Sequence, residues 1–103
     1  MLNNKEKKYL KKIAQKEKAI FQIGKNGLND ELIKQVDQAL EKRELVKLNI
    51  LQNSSAEVDQ AAEELATGLR AEIVQTIGKT LVLYRPSQEA KNQKLSAEVK
   101  ALG

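Results

Sequence analysis

The chain has 103 residues, 41% hydrophobic and 31% charged, with a net charge of +4. That is the balance of one folded domain with its own core. It contains no Cys and no His, which excludes disulfides, thiolate chemistry, imidazole metal sites and imidazole general bases. No stretch approaches the roughly 18 to 20 apolar residues of a membrane span, and Met1-Leu2-Asn3-Asn4 runs into lysines rather than an apolar signal core. A cytoplasmic chain with no membrane partner is the expectation.

The charge is unevenly spread. Residues 1–18 hold Lys5, Lys7, Lys8, Lys11, Lys12, Lys16 and Lys18 against Glu6 and Glu17. Residues 55–71 hold Glu57, Asp59, Glu63 and Glu64 against Arg70. A concentrated basic element attracts polyanions, and nucleic acid is the main candidate. The plainer alternative is a lysine-wetted helix face. The acidic stretch could meet a basic protein partner, or simply be solvated.

Taken in chain order, residues 3 to about 16 read as a helix whose narrow apolar stripe is Tyr9, Leu10, Ile13 and Ala14, with lysines around it. Ala19 to Ile23 is short and rich in β-formers, so it reads as a strand. Gly24-Lys25-Asn26-Gly27 breaks it. A second helix runs from about Asn29 to Arg43. Leu28, Leu32, Val36 and Leu40 recur every four residues, Asn29 is placed to cap, and Leu28 and Ile33 are placed as a hydrophobic staple. Leu45 to Leu51 alternates as a strand with a dry face (Val46, Leu48, Ile50) and a polar face (Lys47, Asn49).

Ser54-Ser55-Ala56-Glu57 offers a capping box for a third helix with the stripe Val58, Ala61, Ala62, Leu65, Ala66 and Leu69. Gly68 could stop that helix, or it could continue to about Arg70. Ile73 to Ile77 and Thr80 to Arg85 read as strands joined by Gly78-Lys79, a pair that suits a type II′ hairpin. Pro86 ends the last strand. Residues 88–103 form a polar tail in which Leu95, Val99 and Leu102 fall at helical spacing, consistent with a short helix or a frayed end. The order is α-β-α-β-α-β-β: a single α/β domain with a four-stranded mixed sheet packed against helices.

Gly24 to Gly27 is the segment that speaks to function. Glycines let another backbone approach closely, the following helix start leaves N–H groups unpaired, and Lys25 adds a full charge beside Asn26. This is how a GxxG loop clamps a sugar-phosphate backbone. Alternatively, both glycines could serve only a tight turn. Asp30 and Glu31 in the helix's first turn would repel an anion there, so a phosphate belongs against the loop itself. The segment lacks the endings of phosphate-binding P-loops and dinucleotide folds. Phe21 and Tyr84 read as packing residues, which favours recognition by charge and shape over base stacking. No carboxylate is paired on a motif with a nucleophile or metal partner. No enzyme, catalytic residue, metal, cofactor or small-molecule substrate is therefore expected.

The strings Gln22-Ile23-Gly24-Lys25-Asn26-Gly27-Leu28, Gln38-Ala39-Leu40-Glu41 with Glu44-Leu45-Val46-Lys47, and Val74 through Pro86 closely resemble the CRM domain in its stand-alone bacterial YhbY form. The likeness covers about residues 2 to 87, which sets a domain at 1–87 and a tail at 88–103. It implies a fold similar to the C-terminal domain of a bacterial translation initiation factor. The implied function is RNA binding in ribosome biogenesis, on the precursor large ribosomal subunit. The family's loop falls on Gly24, Lys25, Asn26 and Gly27. Its basic surface is matched by Lys25 with Lys5, Lys8, Lys11 and Lys12 of the first helix, and Lys79 and Arg85 match its ending motif. A monomer is expected. Relatives often carry Thr-Gly where this chain has Leu69-Arg70, with Thr67-Gly68 two places earlier. The alternative is an interaction module of the translation apparatus that binds a basic partner through the acidic third helix.

Overall fold

The computed structural model describes residues 2–52, 54 and 56–102. Its elements are α1 (Asn4–Gln15), β1 (Phe21–Ile23), α2 (Asp30–Arg43), β2 (Leu45–Ile50), α3 (Val58–Leu69), β3 (Glu72–Ile77), β4 (Thr80–Tyr84), a 3₁₀ turn (Ala90–Asn92) and α4 (Lys94–Leu102). The order expected through β4 is present, and a fourth helix follows it.

Local chemistry accounts for most boundaries. Asn3 and Glu6 form a reciprocal capping box at α1: the Glu6 N–H donates to Asn3 Oδ1 (2.8 Å) and the Asn3 N–H to Glu6 Oε1 (2.9 Å), satisfying two orphan donors. Asn29 caps α2 through Leu32 N–H (2.8 Å), with Leu28 and Ile33 packed on the core behind it. Asp30 and Glu31 in the first turn and Lys42 and Arg43 in the last complement the helix dipole. Gly78 takes φ 58° and Lys79 does not share that sign, as a type II′ hairpin requires.

The start of α3 departs from expectation. Ser54 does not cap it: its hydroxyl accepts the Ala56 N–H in a local turn (3.1 Å), and Ser55 lies outside the described residues. The N-cap is Glu57, with no side-chain cap bond. Burial of Ala61, Ala62, Leu65 and Leu69 against the sheet holds the helix instead. Each fully buried leucine contributes about 2 kcal/mol, more than a missing cap removes. The helix continues through Thr67-Gly68 and stops when Arg70 adopts φ 57°.

The sheet order is β1-β2-β4-β3, parallel between β1 and β2 and antiparallel elsewhere. Central β4 is apolar on both faces. Leu81 and Leu83 join Ile23, Val36, Leu40, Leu48 and Leu65 in the core beneath α2 and α3. Val82 and Tyr84 join Leu10, Ala14, Leu45, Val74 and Val99 beneath α1 and α4. The layers are therefore helices, sheet, helices.

The polar face expected for β2 is partly put to structural use. Lys47 Nζ donates to the carbonyls of Ala14 (3.2 Å) and Glu17 (3.3 Å), stabilising the negative end of α1. The tail is tied down in a similar way. Glu44, fully buried, accepts the Ser87 N–H (2.6 Å) and the Ser96 N–H (2.9 Å) on its two carboxylate oxygens. A carboxylate from the end of α2 thus caps the start of α4.

Candidate nucleic-acid interface

The glycine loop sits at the sheet end where β1 and β2 finish and β4 begins. Ile23 pairs with Ile50, Leu51 N–H donates to Ile23 O (2.9 Å), and Ile50 N–H donates to Lys79 O (2.7 Å). The two lysine-bearing turns, Lys25 and Lys79, therefore flank the end of β2. Two strand spacings separate them, roughly 10 Å of backbone. Both side chains are exposed, and neither has an ion-pair partner among the described residues.

Within the loop, Gly27 N–H donates to Gly24 O (3.0 Å), closing a turn with Lys25 and Asn26 at its tip. Gly27 has φ +63°, a left-handed geometry that disfavours any Cβ. Gly24 differs. An added Cβ there would meet only Leu51 Cδ1 at 3.6 Å, an ordinary contact, and its φ carries no strain. The fold requires glycine at 27 but not at 24. Beside the loop is an open hollow of about 270 Å³ lined by loop residues with Gln22, Asn29, Glu31 and Gln35. Asn29 is occupied with its cap, and Glu31 accepts from Gln35 Nε2 (3.1 Å). The acid at the helix mouth leaves the loop, not the helix axis, as the place for an anion.

The remaining expected residues are not all brought to this end. In α1, Leu10 and Ala14 face the sheet. Tyr9, whose hydroxyl donates to Glu98, and Ile13, which shares a hollow with Leu95, face α4. At about 100° per residue, Lys5, Lys8 and Lys12 then point away from the sheet. Lys11, with Lys7, lies on the flank opposite α4. Sequence reasoning left Lys7 out of the site; a helical wheel centred on Leu10 and Ala14 places it beside Lys11. The bond to Glu98 pushes the Tyr9 phenol up from its ordinary pKa.

Arg85 lies at the far end of β4, roughly 20 Å from Lys79 at strand rise. Its side chain is 17% exposed. It donates to Asp37 Oδ1 (2.7 Å), Asp37 O (3.0 Å) and Leu69 O (2.9 Å), fastening α2 to the end of α3. The structure does not join it to the loop surface. A second basic hollow of about 380 Å³, lined by Lys42, Arg43, Lys91 and Lys94, was also missed, because it assembles only when α4 docks beside the end of α2. Glu17 and Glu98 sit in it and offset part of its charge. On α3, Glu57, Asp59, Glu63 and Glu64 are exposed, and Asp59 accepts from Thr76 Oγ1 (2.9 Å).

An α/β domain with an open glycine loop and unpaired lysines at one sheet end has the build of a polyanion-binding module. Comparison with known proteins gives the family: residues 2–85 match the CRS1 / YhbY (CRM) domain, and the chain belongs to it. It is 47% identical over 95 residues to a Bacillus subtilis protein named "Probable RNA-binding protein YqeI", covering 92% of this chain and 99% of that one. A Haemophilus influenzae protein named "RNA-binding protein" is 35% identical over 92 residues, covering 89% and 93%. A Staphylococcus aureus protein solved in solution superposes with a TM-score of 0.74 at 46% identity, covering 91% of this chain and 98% of its own. Among the described residues no helix is long and apolar enough to cross a membrane, and no group of carboxylates could hold a metal ion.

Proposed function

We propose that this protein binds RNA in the cytoplasm, gripping the sugar-phosphate backbone between the Gly24–Gly27 loop and the lysines beside it. Its partner is the ribosomal RNA of the precursor large subunit, so its role is assembly rather than catalysis. The carrying observation is the difference between the two glycines. Gly27 is explained by backbone geometry alone, whereas Gly24 answers no demand of the fold and stands where a ligand's backbone would come close. The unpaired Lys25 and Lys79 supply charge on either side, and the names of the relatives point the same way.

The test is Gly24→Ala. Stability should stay within about 0.5 kcal/mol of wild type, as for a substitution that meets no strain. Affinity for a large-subunit ribosomal RNA transcript should fall several-fold. Wild-type affinity in this variant would remove the loop from the interface. Sedimentation of tagged protein from cell extract tests the partner: it should travel with precursor large subunits and be released by nuclease. Co-sedimentation that survives nuclease would favour the acidic third helix and a basic protein partner.

A further inference from the structure

One row of the sheet is left uncovered by every helix. Gln22 pairs with Asn49, Asn49 with Thr80, and Thr80 with Ile77, so these four stand abreast across β1, β2, β4 and β3. Their strand neighbours Ile23, Leu48, Ile50 and Leu81 are in the core beneath α2 and α3. Side chains alternate along a strand, so the row projects to the α1 side. There α1 and α4 are packed over Leu45, Val74, Val82 and Tyr84, toward the other end of the strands. Ile77 is consequently 62% exposed, and Ile20, bonded through its N–H to Lys47 O, is 41% exposed. Gln22 is exposed, and Asn49 and Thr80 are half-buried.

This row has the chemistry of base recognition. Two amides and a hydroxyl present both donors and acceptors, with an apolar side chain beside them and no carboxylate among them. Asn49 Oδ1 is shielded from solvent and has no hydrogen-bond partner among the described residues, so an unmet acceptor lies in the middle of the row. Cations border the row on two sides. Lys25 and Lys79 occupy the turns at the strand ends, and Lys7 and Lys11 line the flank of α1 that faces away from α4. All four are exposed. Neutral polar groups between two lines of cations match a strand whose bases are flanked by phosphates, and they suit neither a basic protein nor an apolar one.

We infer that the row Gln22–Asn49–Thr80–Ile77 is the surface on which the bases of a single-stranded RNA segment lie. The amides and hydroxyl read base edges, and the bordering lysines hold the phosphates. This rests on the RNA-binding reading and adds a source of base preference, which a backbone-gripping loop cannot provide. The row spans four strands, room for about two or three bases. It contains no aromatic residue, so discrimination comes from hydrogen bonding rather than stacking.

The experiment measures binding of the full chain to labelled 20-nucleotide rU, rA and rC strands by fluorescence anisotropy over a salt series. Wild type should prefer one base by at least about fivefold. The triple variant Gln22→Ala, Asn49→Ala, Thr80→Val should lose that preference, and its affinity for the favoured strand should fall about tenfold. Its salt slope should not change, because no phosphate contact is removed. The single variant Gln22→Ala, at an exposed position on the edge strand, guards against misfolding and should show a smaller loss of the same kind. A wild type that binds all strands equally, or a folded triple variant that keeps wild-type preference, overturns the inference and leaves RNA binding standing. A wild type that binds none of these strands, and no ribosomal RNA transcript, overturns the RNA-binding reading itself.

Discussion

The two ends of the sheet use charge in opposite ways. At one end, Lys25 and Lys79 stand on turns, exposed and without ion-pair partners among the described residues. At the other, Arg85 donates to three oxygens and Glu44 is buried with both carboxylate oxygens accepting backbone N–H groups. A charged group already saturated with internal bonds stabilises the fold; one left in water has nothing to give up when a ligand arrives. Partners, rather than residue type or motif membership, separate the charge that the fold uses from the charge that it leaves in water here. Arg85 belongs to the same C-terminal motif as Lys79 and falls on the other side of that division.

The largest effect should come from Glu44. Glu44→Ala leaves the Ser87 and Ser96 N–H groups buried without an acceptor and should cost about 3 kcal/mol, as expected for two charge-assisted bonds. A fall in the urea midpoint reads this directly. RNA affinity under native conditions should stay at the wild-type value, and a loss of affinity in folded protein would break the separation between the two ends.

Arg85→Met comes next. Losing the bonds to Asp37 and Leu69 should destabilise by about 2 kcal/mol, with RNA affinity unchanged where the protein is folded. Full stability together with weakened RNA binding would return Arg85 to the interface and overturn the division drawn above.

The double variant Lys25→Ala, Lys79→Ala probes the opposite end. If each lysine neutralises one phosphate of a single strand, the slope of log affinity against log salt should fall by about 1.4, and affinity near physiological salt roughly tenfold. Stability should move by less than about 0.5 kcal/mol. The converse set, Lys5→Gln, Lys8→Gln, Lys12→Gln, sits on the outer face of α1 and should lower the slope less than Lys7→Gln, Lys11→Gln does. Equal slopes from the two sets would mean that the helix acts as a diffuse positive field with no preferred flank.

How far the sequence could reach is visible in particular residues. The helix registers of α1, α2 and α3 and the mixed sheet were legible because apolar spacing is a local record of which face is buried. The capping boxes were less so. Ser54 to Glu57 and Asn3 to Glu6 carry equivalent patterns, yet only the second forms, because the Ser54 hydroxyl is taken by a nearer N–H. Glu44 and Arg70 in left-handed conformations left no trace, since neither is the glycine or asparagine that marks such a position. In the candidate site, the loop and its lysine could be read directly. The row across the sheet could not, because Gln22, Asn49, Thr80 and Ile77 become neighbours only once the strand order and register are known. The internal bonds of Arg85 were illegible for a related reason: its partners Asp37 and Leu69 are 48 and 16 residues away.

At neutral pH the smallest effect is that of Tyr84, which shows only as a change of slope at high pH, and it too belongs to the saturated end. Tyr84 is 3% exposed, and burial, aided by the carboxylates of Glu44 and Glu6, pushes its phenol up to about 12 from 10.0. Between those values the unfolded chain gives up the phenolic proton while the folded chain keeps it. Fewer protons on the unfolded state mean that stability falls as pH rises through this window. Below about pH 10 both states hold the proton and Tyr84 contributes no slope. Tyr84→Phe should therefore flatten the decline measured by urea denaturation between pH 10 and about 12, without altering the profile at neutral pH. An identical alkaline profile in wild type and variant would show that the phenol ionises as freely in the folded protein as in water, and would remove this group from the tightly packed end of the sheet.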